Sequence, residues 1–353
     1  VTAATGARLT IDLTALAANY ALIRALAGGA ETAAVVKADG YGLGAVPVAR
    51  RLWAEGARTF FVARLAEGFA LRAGLQQPSA TILVLDGLLA EPAAYLDAGL
   101  TPVLNSTGQA RRWLASGATG GVLQLDTGMH RLGVTLEEAE HLASEGLSPA
   151  LVMSHLACAS DPVHPMNAAQ LKAFRHARGL FPDARASLAN SAGVFLGADY
   201  RFDLVRPGIA LYGGASVTGG DPVSLSVVAS LHAPVLQLRD VAVGGAVGYG
   251  ADWIAARPSR IAIVAAGYAD GVLRAAAAGG FGLAGGLPLV GRISMDMLAI
   301  DVTDAPGVAV GQDIELFGAA TSINDLATAA GTIPYEVLTR ISSRAERTWR
   351  DAV

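Results

Sequence analysis

One cysteine stands in 353 residues, and only two lysines, Lys37 and Lys172, among 26 basic side chains. A single thiol, Cys158, cannot close a disulfide within the chain, so nothing asks for an oxidising compartment and a cytoplasmic location is expected. Charge is scarce too: 16% of residues are charged and 52% belong to the apolar set, which excludes a disordered chain. The net charge of -4 and a pI near 5.9 leave no basic face for a polyanion, so no nucleic-acid partner is expected. No apolar run reaches the ~18 residues of a membrane helix. The first residues also lack the basic-then-apolar order of a signal peptide, so no membrane association is expected.

What is present is a rhythm. Eight short β-favouring runs, each closed by a polar residue, recur at roughly 25-residue intervals: "TAAVVKAD" near Lys37, "TFFVAR" at Arg64, "TILVLD" at Asp86, "TPVLN" at Asn105, "GVLQLD" at Asp126, "ALVMSH" at His155, "ASLAN" at Asn190 and "FDLVRPG" at Arg206. Helical stretches fill the gaps, such as "DLTALAANYALIRAL", with Leu16, Tyr20, Ile23 and Leu26 on one stripe. The spacing predicts an α/β fold, a (β/α)8 TIM barrel over residues 1–230, whose first residues are free to pair with the C-terminal domain. From 231 to 353 strands joined by glycine turns predict a smaller, mainly antiparallel β domain, with helix at "INDLATAAG" and in the closing "YEVLTRISSRAERTW". In such barrels the strand ends share one mouth, so Lys37, Asp126, Arg131, His155, Asn190, Ser191 and Arg206 become candidate neighbours.

Lys37 ends the run "AVVKADGYGLG". A lysine at the end of a buried strand is desolvated, and its neutral amine becomes available for a Schiff base. Glycines 40, 42 and 44 let backbone approach a bulky ligand, and Tyr41 offers a hydroxyl to an anion. His155, Cys158 and His164 lack the spacing of a tetrahedral metal site, so no metal is expected.

"VVKADGYGLG" resembles the cofactor-lysine motif of alanine racemases. So do, in order, "LDTGMHRLG", "SHLACASD", "LANSAG", "LVRPGIALYG", "GYGADW", "GYADG", "GRISMDM" and "PYEV". The resemblance implies a barrel followed by a β domain in a homodimer with shared active sites, using pyridoxal 5'-phosphate to interconvert L- and D-alanine. It implies a role in supplying D-alanine for peptidoglycan or in alanine catabolism. It also implies that Lys37 carries the cofactor and acts as one base, with Tyr249 of the other subunit as the second. Inversion needs proton transfer on opposite faces, hence two groups. By the same resemblance Arg206 faces the pyridine nitrogen and His155 links Arg206 to Tyr249. Tyr41, Asn190, Ser191, Gly208, Ile209 and Tyr335 hold the cofactor. Arg131, Met295 and Asp296 bind the substrate.

The chain departs from the family pattern at Gln124, where a lysine, often carbamylated, is usual, and at Gly40, Leu43, Ser294 and Trp349. Gln124 is able to hydrogen-bond Arg131 but carries no charge. The competing readings are a broader amino-acid racemase, a barrel-type decarboxylase using pyridoxal phosphate, and a non-catalytic carrier of that cofactor. Decarboxylases of that kind place a carboxylate at the ring nitrogen, which Arg206 opposes; Tyr249 and the β domain oppose the carrier.

Overall fold

All eight apolar runs fold as parallel strands in the computed structural model, which describes residues 6–283 and 286–351. Seven lie side by side in chain order: Ala34–Val35, Thr59–Val62, Thr81–Val84, Leu100–Leu104, Val122–Gln124, Leu151–Met153 and Arg185–Ser187. The eighth, Leu204–Val205, pairs with Glu31–Thr32, the earlier half of the strand that continues as Ala34–Val35. Its other edge meets the seventh strand, where Asp203 N–H donates to Ala186 O (3.0 Å) and Arg206 N–H to Ala189 O (2.9 Å). The sheet therefore closes on itself. Thr59–Val62 is buried along its whole length, as expected of strands with helices outside and packed side chains inside.

The helix Leu13–Ala27 shows how the outer layer is pinned. Leu16, Tyr20 and Ile23 of its apolar stripe are buried, and Leu26 is half-buried. The Tyr20 hydroxyl donates to the Thr32 carbonyl (2.9 Å), tying the helix to the first strand. Burial pushes the Tyr20 pKa up to about 12, so this donor keeps its proton.

The chain divides into two units: Leu16–Leu211 with Ala215–Leu225, and Val1–Ala15 with Tyr212–Gly214 and Ser226–Val353. The division thus falls at 225–226, a few residues before 230, and the N-terminal strand goes with the β unit. Arg8–Asp12 pairs antiparallel with the strand Ala229–Val241 and parallel with Glu346–Arg350. The long strand Ala229–Val241 also pairs with Asp313–Phe317 along its first half and with Ser259–Val264 along its second. Register shifts after Leu231 and Val235 bend it between these partners. Leu298–Asp301 completes the sheet, and Phe317, Leu316, Leu326, Val337 and Ile341 are among the buried side chains of this unit.

Two expected elements differ. The closing "YEVLTRISSRAERTW" is helical only over Pro334–Arg340; Glu346–Arg350 is an edge strand, because pairing with Arg8–Asp12 overrides the helical preference of its charged residues. "LPLVGRISMDMLAIDV" is two strands, Leu287–Pro288 and Leu298–Asp301, separated by a loop that carries Met295 and Asp296. No helix among the described residues is long and apolar enough to cross a membrane.

Tyr20→Phe removes one buried bond without changing the packed ring. It is expected to lower the unfolding free energy by about 1–2 kcal/mol, read as a lower urea midpoint. An unchanged midpoint would remove this bond from the anchoring of the helix.

Candidate active site

The mouth of the barrel is shaped first by backbone. After Val36 the chain turns through Ala38, Asp39, Gly40 and Tyr41, all at positive φ between 52° and 62°. A left-handed residue with a Cβ costs roughly 1–2 kcal/mol, so three non-glycines within one such turn need external support. Gly40 N–H donates to Val36 O (2.9 Å) and Gly42 N–H to Ala38 O (2.8 Å) within the turn. From outside, Ala38 N–H donates to Glu67 Oε1 (2.9 Å), and Asp39 Oδ1 accepts Ala45 N–H (2.8 Å). The turn leaves Lys37 half-buried at its start and buries Tyr41 at its end. Burial and the Arg131 guanidinium push the Lys37 pKa below the ordinary lysine range, against the pull of Glu67 and Asp86.

Arg206, only 4% exposed, is held through both of its terminal nitrogens. Nη1 donates to Ser187 Oγ (2.5 Å) and Nη2 to the Ser154 carbonyl (2.5 Å), with His155 Nδ1 at 3.5 Å. Ser187 in turn donates to Leu204 O (2.6 Å), which fixes the acceptor. Burial pushes the Arg206 pKa down to about 10, which still leaves it charged at neutral pH. Burial and then the charges of Arg206, Arg131 and Lys37 push His155 down to about 3, so its ring is neutral. A guanidinium only donates, so His155 Nδ1 faces it as an acceptor and the ring proton belongs on Nε2.

Beside this pair the seventh and eighth strands end in a small polar cradle. Ser191 Oγ accepts N–H from Gly208 (2.8 Å) and Ala210 (3.3 Å), which leaves the hydroxyl proton free to donate. Asn190 caps the short helix Ser191–Phe195, its Oδ1 accepting Gly193 N–H (2.9 Å). Ile209 opens the 3-10 turn Ile209–Tyr212; Ala210 N–H donates to Ser191 Oγ and Leu211 N–H to Gly208 O (2.9 Å), which leaves the Ile209 N–H at the head of the turn. Gly208, expected to lend its backbone to the cofactor, lies beside Ser191, to which its N–H donates. A Cβ on Gly208 would lie 2.1 Å from the Tyr41 hydroxyl, so only glycine lets the two approach.

Arg131 sits on the loop after the fifth barrel strand. Asp126 Oδ1 organises that loop by accepting N–H from Gly128 (2.9 Å) and His130 (3.1 Å). Burial raises the Asp126 pKa, but those bonds and the His130 ring outweigh it and hold the carboxyl below its ordinary range. Gly133, at φ 115°, closes the loop where a Cβ would meet Asp126 N at 2.8 Å. Arg131 is exposed and takes part in no hydrogen bond or ion pair among the described residues. Gln124 is buried nearby in the strand, and no hydrogen bond joins it to Arg131 among the described residues.

The remaining expected residues belong to the β unit. Tyr249 begins a 3-10 turn and is 71% exposed. Met295, 53% exposed, has its carbonyl engaged by Ala269 N–H (2.9 Å). Asp296 accepts from Arg344 Nη1 (2.7 Å), so its carboxylate is already paired within the unit. Tyr335 is half-buried near the start of the helix Pro334–Arg340.

The barrel unit thus brings together Lys37, Tyr41, Arg131, His155, Ser191, Arg206 and Gly208. Three sets of partners were not foreseen. Glu67 holds the turn after Lys37; its place three residues after Arg64, at a helix start, is the capping-box spacing, the one signal in the sequence that points to it. Ser187 and the Ser154 carbonyl aim Arg206, and no motif marks either. Gln170, fully buried, donates to Thr127 Oγ1 (3.2 Å) and His155 O (3.0 Å) and accepts Ala157 N–H (2.9 Å). Thr127 and Ser154 share a 2.8 Å bond, so one network joins the Arg131 loop to the Arg206 acceptor. An amine of lowered basicity, a buried permanent cation and a hydroxyl-and-amide cradle beside an obligatory glycine fit the aldehyde, ring nitrogen and phosphate of pyridoxal 5'-phosphate.

Residues 11–216 match the family model described as alanine racemase, N-terminal domain, and residues 228–349 match alanine racemase, C-terminal domain. The chain is 47% identical over 368 residues to an alanine racemase of Rhizobium meliloti (strain 1021), covering 97% of this chain and 96% of that one. A biosynthetic alanine racemase of Agrobacterium fabrum is 44% identical over 366 residues, covering 96% of this chain and 93% of the relative. Among solved structures, the alanine racemase of Bartonella henselae with covalently bound pyridoxal phosphate superposes with a TM-score of 0.89. It is 36% identical, over 98% of this chain and 100% of that chain.

Gly208→Ala puts a methyl group where the Tyr41 hydroxyl lies. It is expected to weaken pyridoxal phosphate binding by about tenfold or more, measured by fluorescence titration of cofactor-stripped protein. Unaltered affinity would show that this close approach is not part of the cradle.

Proposed function

Since the chain belongs to the alanine racemase family, we propose that it interconverts L- and D-alanine with pyridoxal 5'-phosphate on Lys37, using Lys37 and Tyr249 as the two bases. The observation that carries this reading is the fixed, buried, charged Arg206. Bound at this mouth, the cofactor supplies an electron sink that acidifies the α-proton of an attached amino acid.

The chain's own groups do the rest. Lys37, held at the start of the left-handed turn with lowered basicity, takes or returns the α-proton on its own face. Arg206, a permanent cation that only donates, would face the ring nitrogen as a hydrogen-bond donor and disfavour its protonation. This favours reprotonation at the α-carbon over transamination, and it opposes the decarboxylase reading. Ser191, Tyr41 and the Ile209 N–H are the barrel groups that would hold the phosphate. Arg131, without a partner of its own among the described residues, offers its fork to the substrate carboxylate. Gln124, uncharged, offers that guanidinium no negative charge of its own.

In this reading Tyr249 of a second copy serves the opposite face, and Met295 and Asp296 of the same unit border the substrate. The exposure of Tyr249 supports a site that another copy completes. His155, neutral with its proton on Nε2, is suited to donate toward that tyrosine oxygen and favour its anion. The lone thiol supports a cytoplasmic location.

Purified protein given L-alanine should yield both enantiomers in equal amounts, resolved by chiral chromatography. Lys37→Ala and Tyr249→Phe should each inactivate their own homodimer. With random exchange of subunits half the dimers are mixed and half their sites whole, so about one quarter of the original activity should return. A mixture shown by mass to have exchanged, yet inactive, would reject the shared site. Arg206→Glu should raise the fraction of turnovers ending in transamination while racemisation falls; an unchanged ratio would take Arg206 away from the ring nitrogen.

A further inference from the structure

Glu67 lies on the helix Leu65–Leu75, outside the motifs quoted above, yet its carboxylate is divided among three backbone N–H groups at the barrel mouth. Oε1 accepts Ala38 N–H (2.9 Å), the peptide immediately after Lys37. Oε2 accepts Ala63 N–H (2.7 Å) and Arg64 N–H (3.2 Å), at the end of the neighbouring strand Thr59–Val62. The same side chain therefore caps its helix, ties the second strand's end and grips the first residue of the left-handed turn.

We propose that Glu67 is the positioning residue for Lys37: its carboxylate clasps the turn Ala38–Tyr41 in its left-handed form and so fixes where the lysine amine points. Three non-glycine exceptions to ordinary backbone geometry within four residues are not held by local bonds alone. Charge-assisted bonds to a carboxylate are the strong ones, and Glu67 gives the turn such a bond at its first residue. Asp39 closes the far side through Ala45 N–H, so the turn is gripped at both ends.

The clasp is also an anion beside an amine. The charged and titratable groups facing Lys37 are Glu67, Asp86 with its ion partner Arg64 (3.2 Å), Arg131, and His155 with Arg206; Asp39 follows on its own turn. Glu67 and Asp86 favour the protonated amine, while burial and Arg131 disfavour it. Removing the charge of Glu67 therefore lowers the pH at which the amine becomes neutral.

This deepens the reading of Lys37 as the cofactor-bearing amine and rests on it, so the experiment reads the amine itself. Full-length Glu67→Gln and Glu67→Asp, stripped of cofactor, are labelled with trinitrobenzenesulfonate across pH. Label on Lys37 is resolved from label on Lys172 by peptide mapping, and amide exchange is followed over residues 36–45. Glu67→Gln is expected to lower the labelling midpoint of Lys37 and to speed exchange at Ala38 and Gly40 by about tenfold to a hundredfold. Glu67→Asp keeps the charge but shortens the reach, so exchange should rise while the midpoint stays nearer that of the unaltered protein. Glu138→Gln breaks a similar capping box at the helix Leu136–Ser144 and should move neither readout. If Glu67→Gln leaves both readouts unmoved, or Glu138→Gln moves them equally, Glu67 is a helix cap only and the proposal falls. A shifted Lys37 amine in a protein that fails to bind pyridoxal phosphate would uphold the clasp and reject the functional reading instead.

Discussion

The N–H of Ala33 donates to the carbonyl of Val205 at 3.0 Å, and with the pairing of Leu204–Val205 to Glu31–Thr32 it closes the barrel. Every other feature of the mouth depends on that seam. It sets the end of the eighth strand, with Arg206 and Gly208, beside the end of the first, with Lys37 and Tyr41, although more than 160 residues of chain separate them. The approach of Tyr41 to Gly208 is the tightest sign of it, since no Cβ fits between them. The first strand divides at Ala33 so that its two halves serve different neighbours, the eighth strand before and the second strand after.

Crowding positive charge at one mouth sorts the basic groups by what each is able to give up. Arg206 is buried but so basic that it remains a cation when pushed down to about 10. Histidine begins much lower, and burial beside two arginines leaves His155 neutral. Lys37 lies between them, lowered by burial and Arg131 and restrained by Glu67 and Asp86. One field thus yields a permanent cation, a neutral hydrogen-bonding ring and an amine able to change state, without any of the three having an unusual side chain. The surplus positive charge also suits a ligand carrying phosphate and carboxylate.

Strain is concentrated where the chemistry is placed. The turn Ala38–Tyr41 holds three non-glycine residues in the left-handed region, and carboxylates of Glu67 and Asp39 compensate from either side. A relaxed exit from the strand would not reverse the chain so sharply from Lys37 to a buried Tyr41. Arg206 is fixed differently, by two short bonds to groups that are themselves held: Ser187 by the Leu204 carbonyl, and Ser154 by Thr127, which Gln170 holds in turn. The Arg131 loop shares that last network, so the two arginines stand on one support.

Much of this was legible in the sequence. The period of apolar runs marked eight strands because buried parallel strands need continuous apolar stretches, and the polar residue ending each run marked the mouth. The resemblance to alanine racemases put numbers on the residues that gather there, and in the barrel unit Lys37, Arg131, His155 and Arg206 do gather. Less legible were partners that act through backbone or across the fold. Nothing local distinguishes Ser187 or Gln170 from other polar residues, and Glu67 reads as a helix cap. Nor did the sequence show that Asn190 Oδ1 accepts Gly193 N–H or that Asp296 pairs with Arg344, because both bonds depend on local geometry and on a distant partner. The strand Glu346–Arg350 looked helical because intrinsic preference is local, whereas its pairing with Arg8–Asp12 joins opposite ends of the chain. The sequence by itself determined which groups exist and which strands carry them. Only the tertiary structure decided which donors and acceptors were already satisfied, since that depends on neighbours brought together by closure of the sheet and not by proximity along the chain.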